Sequence, residues 1–400
     1  MTAPGPDAGG TPVVAVIDSG ARLARAALAC WEHGRAIMPV NPAFTRPELD
    51  ALFDRLRPNA ILADGEVFDF DGGEHAAPGI AAVVVTSGTA GEPKGVELTR
   101  RGMEVMGHGY SNGLQAGPND RWLMCLPLHH VASLGALARA YVTGVPYTVH
   151  EHFNVDGVSR SPGLEGTTIV SLVPTALRRL LDANAPIQHY RRVIVGGAPC
   201  PPTLRARAEV RGATIVDAYG LSETWSGFAL DGVPIEGAEV KIAADGEILV
   251  RGDMVMHGYR RDPELTATVL EPDGWFHTGD VGAFDEHGKL QVVDRMKDIV
   301  ISGGVNVSPT EVEGVLARHP DIEDVCVIGA DDDEWGERVV AVIVPRPETY
   351  PTIDELREFA REQLSPTKLP REIRVVNEIP RGASGKPLRR ELRQPAQAGD

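Results

Sequence analysis

The chain has 400 residues, 42% of them hydrophobic, enough for two or more domains with buried cores. A formal net charge of −17 argues against a nucleic-acid partner, because binding a phosphate backbone requires a basic face. No run approaches the ~18 apolar residues of a membrane helix, so no membrane partner is expected.

Residues 1–11 are Pro/Gly-rich, with neither a basic region nor an apolar core, and read as a floppy start rather than a signal peptide. Residues 81–85 form a short β-branched run ending at a glycine loop, the pattern of a buried strand feeding a phosphate site. Thr99 then precedes Met103, Met106 and Tyr110, a weak helical spacing broken by glycines. Strands are predicted at 169–173, 193–195 and 214–216, with helices at 175–181 and 202–210. That alternation argues for a parallel α/β core. From Val240 the pattern changes to strands at 247–250, 275–278 and 290–293, with turns at Asp245-Gly246 and His287-Gly288, which suggests a β-rich subdomain.

After Asp298 comes a compact α+β unit. Ser308-Pro-Thr-Glu311 and Thr352-Ile-Asp-Glu355 read as capping boxes, the second opening a helix to Leu364. Residues 325–328 and 339–344 read as strands, the latter an edge strand because of Pro345. The tail 394–400 reads as disordered. The four cysteines (Cys30, Cys125, Cys200, Cys326) form no C-x-x-C pair and read as buried thiols of a reduced cytosol, so a cytoplasmic setting is expected.

Two lysine loops stand out. Thr86-Ser-Gly-Thr-Ala-Gly-Glu-Pro-Lys-Gly-Val96 combines glycines that admit phosphates, hydroxyls that bind their oxygens, and Lys94 as a point charge. Far downstream, Pro380-Arg-Gly-Ala-Ser-Gly-Lys386-Pro-Leu-Arg-Arg390 carries a second lysine on a Gly-flanked loop. Neither is a Walker loop, since Pro387 follows Lys386. Two separated lysine loops point to a nucleotide enzyme assembled from two pieces.

The pair resembles the adenylate-forming superfamily of acyl- and aryl-CoA synthetases, peptide-synthetase adenylation domains and luciferases. Five further motifs stand between them in the family's order: Leu126-Pro-Leu-His-His130, Gly196-Gly-Ala-Pro199, Asp217-Ala-Tyr-Gly-Leu-Ser-Glu-Thr224, Gly274-Trp-Phe-His-Thr-Gly-Asp280 and Val293-Asp-Arg-Met-Lys-Asp-Ile-Val-Ile-Ser-Gly-Gly304. The resemblance implies an α/β fold. A large N-terminal domain, residues 1–296, would hold the parallel core and the β-rich subdomain, and a small mobile α+β domain, residues 297–400, would carry the catalytic lysine.

By the same resemblance, Thr86, Ser87, Gly88, Thr89 and Lys94 hold the β- and γ-phosphates of ATP. Gly197 and Ala198 lie beside adenine, and Tyr219 stacks on it. Ser222 stands where the family commonly has threonine. Glu223 is the Mg²⁺ ligand, a reasonable role for a carboxylate near phosphates. Asp280 and Arg295 contact the ribose, and His130 lines the acyl site. Lys386 offsets the repulsion when a carboxylate attacks the α-phosphate. Lys297 is the implied hinge, and Ser302, Gly303 and Gly304 line the tunnel for coenzyme A. His150-Glu-His152 lacks the rest of a zinc ligand set and reads as surface.

The resemblance therefore implies an AMP-forming acid–CoA ligase using ATP and Mg²⁺, with a small-molecule carboxylic acid and coenzyme A as substrates. Family members usually carry about twice as much chain before the phosphate loop, so part of the N-terminal subdomain is expected to be reduced. This compact N-terminus and Leu126-Pro-Leu-His-His-Val131 are most like o-succinylbenzoate–CoA ligases. Aromatic or o-succinylbenzoate-like acids are therefore placed ahead of medium-chain fatty acids. Two alternatives stay open: loading of a free-standing carrier protein, or nucleotide binding without chemistry. A homodimer is compatible with the resemblance.

Overall fold

The computed structural model describes residues 9–87, 93–381 and 387–393. Gly88, Thr89, Lys386 and the tail from Gln394 therefore lie outside the described residues. The chain divides into two compact units, residues 1–200, 206–241 and 249–278 forming the first and 201–205, 242–248 and 279–400 the second.

The first unit holds two seven-stranded sheets. In one, Val13–Ile17, Ala36–Val40, Ala60–Ala63 and Ile80–Ser87 run parallel. Pro93–Thr99 and Gly258–Tyr259 extend this sheet antiparallel beyond Ile80–Ser87, and Glu66–Asp69 forms its other edge. Every residue of Ala36–Val40 is buried, as expected of a strand covered on both faces. In the other sheet, Tyr147–Val149, Trp122–Met124, Ile169–Leu172, Arg192–Gly196 and Ile215–Tyr219 run parallel, and Ala229–Leu230 and Val233–Pro234 finish it antiparallel. The predicted helices appear as Pro174–Asp182 and Pro202–Val210.

Several expectations are corrected. Thr11 is not floppy: its backbone exchanges hydrogen bonds with Ala76, and it is buried. The glycine-broken spacing after Thr99 is one continuous helix, Arg100–Leu114, with Thr99 accepting a bond from the Gly102 amide. Its glycines permit close packing, for a Cβ on Gly102 would meet the Asp253 carbonyl at 2.5 Å and one on Gly109 the Glu236 carbonyl at 2.6 Å. Cys200 is half-buried, while the other three thiols are buried.

The second unit has a sheet ordered Val305–Val307, Val300–Ser302, Gly336–Pro345, Ile322–Asp332, with Glu372–Val375 also pairing with Gly336–Pro345. Pro345 does not mark an edge. It sits at the last position of an interior strand, opposite Ile322, where its missing N–H interrupts nothing. Val312, Leu316 and Leu356, from the helices Pro309–Leu316 and Ile353–Arg361, pack with Val325, Val327 and Val339. The helix expected to reach Leu364 ends at Arg361.

Thr352 and Glu355 form the reciprocal box, whereas Ser308 makes only half of one. The Ser308 hydroxyl accepts from the Glu311 amide and donates to Asp294, and the Glu311 carboxylate pairs instead with Lys368. The strand expected at 275–278 runs over Phe276–Phe284. Gly282 does not break it, for a Cβ there would lie 2.6 Å from the Gln291 carbonyl of the paired strand.

Candidate active site

In the second sheet of the first unit, parallel strands present their C-terminal ends at one edge, where α/β sheets place ligands. His129 and His130 follow Trp122–Met124, Gly197 and Ala198 follow Arg192–Gly196, and the Glu223 turn follows Ile215–Tyr219. Gly196 pairs with Ala218, which sets the last two segments side by side. Gly197 has φ of +78°, a left-handed conformation that glycine adopts without a steric penalty.

The Glu223 turn is held tightly. A Cβ on Gly220 would fall 1.9 Å from the Ser226 carbonyl, so glycine is required there. Leu221 donates its amide to Thr224 Oγ1 at 2.9 Å, closing the 3-10 turn Ser222–Thr224. Trp225 and Ser226 follow with φ of +53° and +93°, strained for non-glycine residues. Two contacts retain them: Trp225 Nε1 donates to the Thr99 carbonyl at 3.0 Å, and buried Arg139 donates to Ser226 Oγ at 3.1 Å. Arg139 lies over the rings of Tyr110 and Trp122, and burial without a carboxylate lowers its pKa. The Tyr219 ring packs edge-on against Phe228 at 4.9 Å.

Thr86 and Lys94 face each other across the two strands that flank residues 88–92. The Lys94 ammonium sits 5.1 Å from the centre of the Tyr259 ring. The Tyr259 hydroxyl donates to Glu223 Oε1 at 2.8 Å, and burial beside that carboxylate raises the phenol's pKa. Among the described residues, no other side chain donates to the Glu223 carboxylate. Sequence reading missed Tyr259 and Arg260, because Met254-Val-Met-His-Gly-Tyr-Arg260 carries no local pattern that announces chemistry.

The His129 and His130 ring centres lie 4.4 Å apart. Burial, with a smaller contribution from His130, lowers the His129 pKa to about 4, and burial lowers that of His130. Both rings are neutral near pH 7. His130 is also the N-cap of the helix Val131–Thr143. His150 pairs with Glu165 at 2.9 Å, which accounts for it as a surface contact, and His152 is exposed.

Within the second unit, Asp280 is buried and stands opposite Arg295, with Arg295 Nε 2.7 Å from Asp280 Oδ1. Lys297 is exposed on the 3-10 turn Met296–Asp298. Ser302 is buried, and its hydroxyl has no partner among the described residues. Gly303 and Gly304 have φ of +60° and +77°, and a Cβ on Gly303 would meet the Trp335 ring at 2.7 Å. Ion pairs flank the segment that carries Lys386: Arg381 with Asp324 at 2.7 Å on one side, Arg389 with Glu313 at 2.7 Å on the other.

No group of three His, Cys, Asp or Glu side chains converges among the described residues to cage a metal. Mg²⁺ needs no such cage, because one carboxylate plus substrate phosphates and water satisfies it. A single carboxylate with one oxygen already oriented, as at Glu223, fits that pattern.

Residues 74–260 match the family profile described as AMP-binding enzyme, and residues 311–386 match the AMP-binding enzyme C-terminal domain. The chain is 35% identical over 328 residues to a 2-succinylbenzoate–CoA ligase of Listeria monocytogenes, covering 78% of this chain and 70% of the relative. Among solved structures it is similar to the o-succinylbenzoate CoA synthetase MenE of Bacillus subtilis in complex with the acyl-adenylate intermediate OSB-AMP. There the TM-score is 0.85 at 28% identity, covering 96% of this chain and 88% of the other. The same synthetase with ATP and magnesium ion gives a TM-score of 0.84 at 28% identity, covering 97% and 90%. Among the described residues, no helix is long and apolar enough to cross a membrane.

Proposed function

Because the chain belongs to the AMP-binding enzyme family, we propose that it joins 2-succinylbenzoate, or a close aromatic keto acid, to coenzyme A. It is an ATP-dependent, AMP-forming acid–CoA ligase that works through an acyl-adenylate. The observation that carries the reading is Tyr259, which meets both Lys94 and Glu223, a cation and an anion from widely separated motifs. The names of the relatives support the acid. We place the reaction in the cytoplasm, where ATP and coenzyme A meet.

A free carboxylate is a poor electrophile, and coupling it to AMP supplies a good leaving group. In the first half-reaction the acid's carboxylate oxygen attacks the α-phosphate and pyrophosphate leaves. Thr86, Ser87, Gly88, Thr89 and Lys94 hold the phosphates being released. Glu223 would hold Mg²⁺, whose charge would neutralise that of the phosphates. Asp280 accepts the ribose hydroxyls with Arg295 beside it, Tyr219 and Ser222 border the adenine end, and Gly197 and Ala198 leave room for it. Lys386 offsets the negative charge gathered at the reacting centre.

In the second half-reaction the thiolate of coenzyme A attacks the acyl carbon and AMP leaves. Residues 297–400 then turn about Lys297, withdrawing Lys386 and bringing Ser302, Gly303 and Gly304 to the pantetheine chain. The imidazoles of His129 and His130, neutral near pH 7, add no net charge beside the acyl site that His130 is proposed to line.

The test is pyrophosphate release from MgATP with each acid of a panel, followed by thioester formation on adding coenzyme A. We expect 2-succinylbenzoate to give the highest kcat/KM. Preference for a medium-chain fatty acid would overturn the substrate assignment.

A further inference from the structure

Residues 256–260 join the two motifs that carry Lys94 and Glu223. Met256 donates its amide to the Glu223 carbonyl at 2.7 Å, and Tyr259 donates its hydroxyl to the Glu223 carboxylate at 2.8 Å. On the other side, Gly258 and Tyr259 pair with Glu97 and Val96 of the strand that begins at Pro93. The His257 backbone amide donates to the Glu97 carbonyl at 2.8 Å, and that of Arg260 to the Gly95 carbonyl at 2.7 Å.

The run is itself firmly anchored. The Arg260 side chain is 2% exposed and spans Glu97 Oε1 at 2.9 Å, the Leu56 carbonyl at 2.5 Å and the Arg57 carbonyl at 3.0 Å. Tyr259 further donates its amide to Thr266 Oγ1 at 2.8 Å. The phenol is therefore presented from a firmly held backbone.

We infer that Tyr259 is a positioning residue for adenylation, one that fixes the Glu223 carboxylate for its cation and links that carboxylate to Lys94. The inference rests on the reading of Glu223 as the Mg²⁺ ligand. A carboxylate on a flexible side chain loses rotational freedom when it binds a metal. Occupying Oε1 with a hydrogen bond removes part of that loss beforehand and leaves Oε2 as the oxygen for the cation. The same ring gives the Lys94 ammonium a π-face in the absence of phosphate, so the lysine and the carboxylate share one support.

The test uses the full chain, with Mn²⁺ as the probe and a non-hydrolysable ATP analogue present. Free Mn²⁺ is read by electron paramagnetic resonance for wild type, Tyr259→Phe, Glu223→Gln and the double variant. Thermal unfolding is followed for each. Tyr259→Phe keeps the ring and removes only the hydroxyl. We expect it to weaken Mn²⁺ binding about 10-fold, in the range for residues that orient a metal ligand. It should add nothing once Glu223 is already Gln.

If Glu223→Gln weakens Mn²⁺ binding but Tyr259→Phe does not, the inference is overturned and the Glu223 reading stands. If Tyr259→Phe weakens binding equally in both backgrounds, it acts through the fold and the inference again fails. If Glu223→Gln itself leaves Mn²⁺ binding unchanged, the metal-ligand reading falls and the inference falls with it.

Discussion

Arg295 Nε lies 2.7 Å from Asp280 Oδ1, and the two residues face each other in an antiparallel ladder. The Asp280 side chain is almost fully buried while that of Arg295 is partly exposed. The aspartate is thus held in one orientation by a partner that solvent still reaches. Asp280→Asn puts an amide where an anionic acceptor stood for Arg295 and, in the proposed reading, for the ribose hydroxyls. A charge-assisted hydrogen bond is worth about 1.5–3 kcal/mol, so ATP affinity should fall about 10- to 100-fold. Calorimetric titration with ATP checks this, and kcat should change less than affinity.

Arg260 makes a prediction about stability. Its guanidinium and the Glu97 carboxylate form a buried pair, and removing one partner leaves the other charge unpaired. Arg260→Met should cost about 3–5 kcal/mol of folding stability. Denaturant unfolding measures the loss. Adding Glu97→Met should recover only part of it, because the orphaned carboxylate is then gone while the Leu56 and Arg57 carbonyls still lack their donor.

The pH dependence follows from the paired imidazoles. His129 is lowered to about 4 and His130 is also lowered, in both cases chiefly by burial. Between the ordinary histidine value and these depressed values, the unfolded chain binds protons that the folded chain refuses. Stability from this source is therefore present above about pH 6.5 and declines as pH falls toward about 4. NMR of the imidazole protons should show His129 neutral from about pH 8 down to about pH 5. In His129→Gln the acid decline of the melting temperature should be shallower.

Much of the first unit was legible because its strands are continuous apolar runs bounded by glycine loops. Residues 169–173 and 193–195 were placed within a residue or so of Ile169–Leu172 and Arg192–Gly196. The helix Arg100–Leu114 was blurred because its glycines answer to distant partners, Asp253 and Glu236, which no local window contains. Pro345 misled for a related reason: a proline at a strand's last position looks in sequence like one at an edge. Glu223 and Lys94 could be found from their motifs. Their meeting at Tyr259 could not, since it depends on the short strand Gly258–Tyr259 closing against Pro93–Thr99.

The central claim is that one chain runs two half-reactions, with Lys386 acting in the first alone. The partial reactions of Lys386→Ala test it most directly. Contacts that stabilise charge only in the transition state are worth about 3–4 kcal/mol, so acyl-adenylate formation should slow roughly 10²–10³-fold. The loss should appear in kcat rather than in ATP affinity, which Lys94 still supports. Given synthetic acyl-adenylate and coenzyme A, the variant should form thioester at a rate near wild type. An equal collapse of both partial reactions, or no change in the first, would contradict the account.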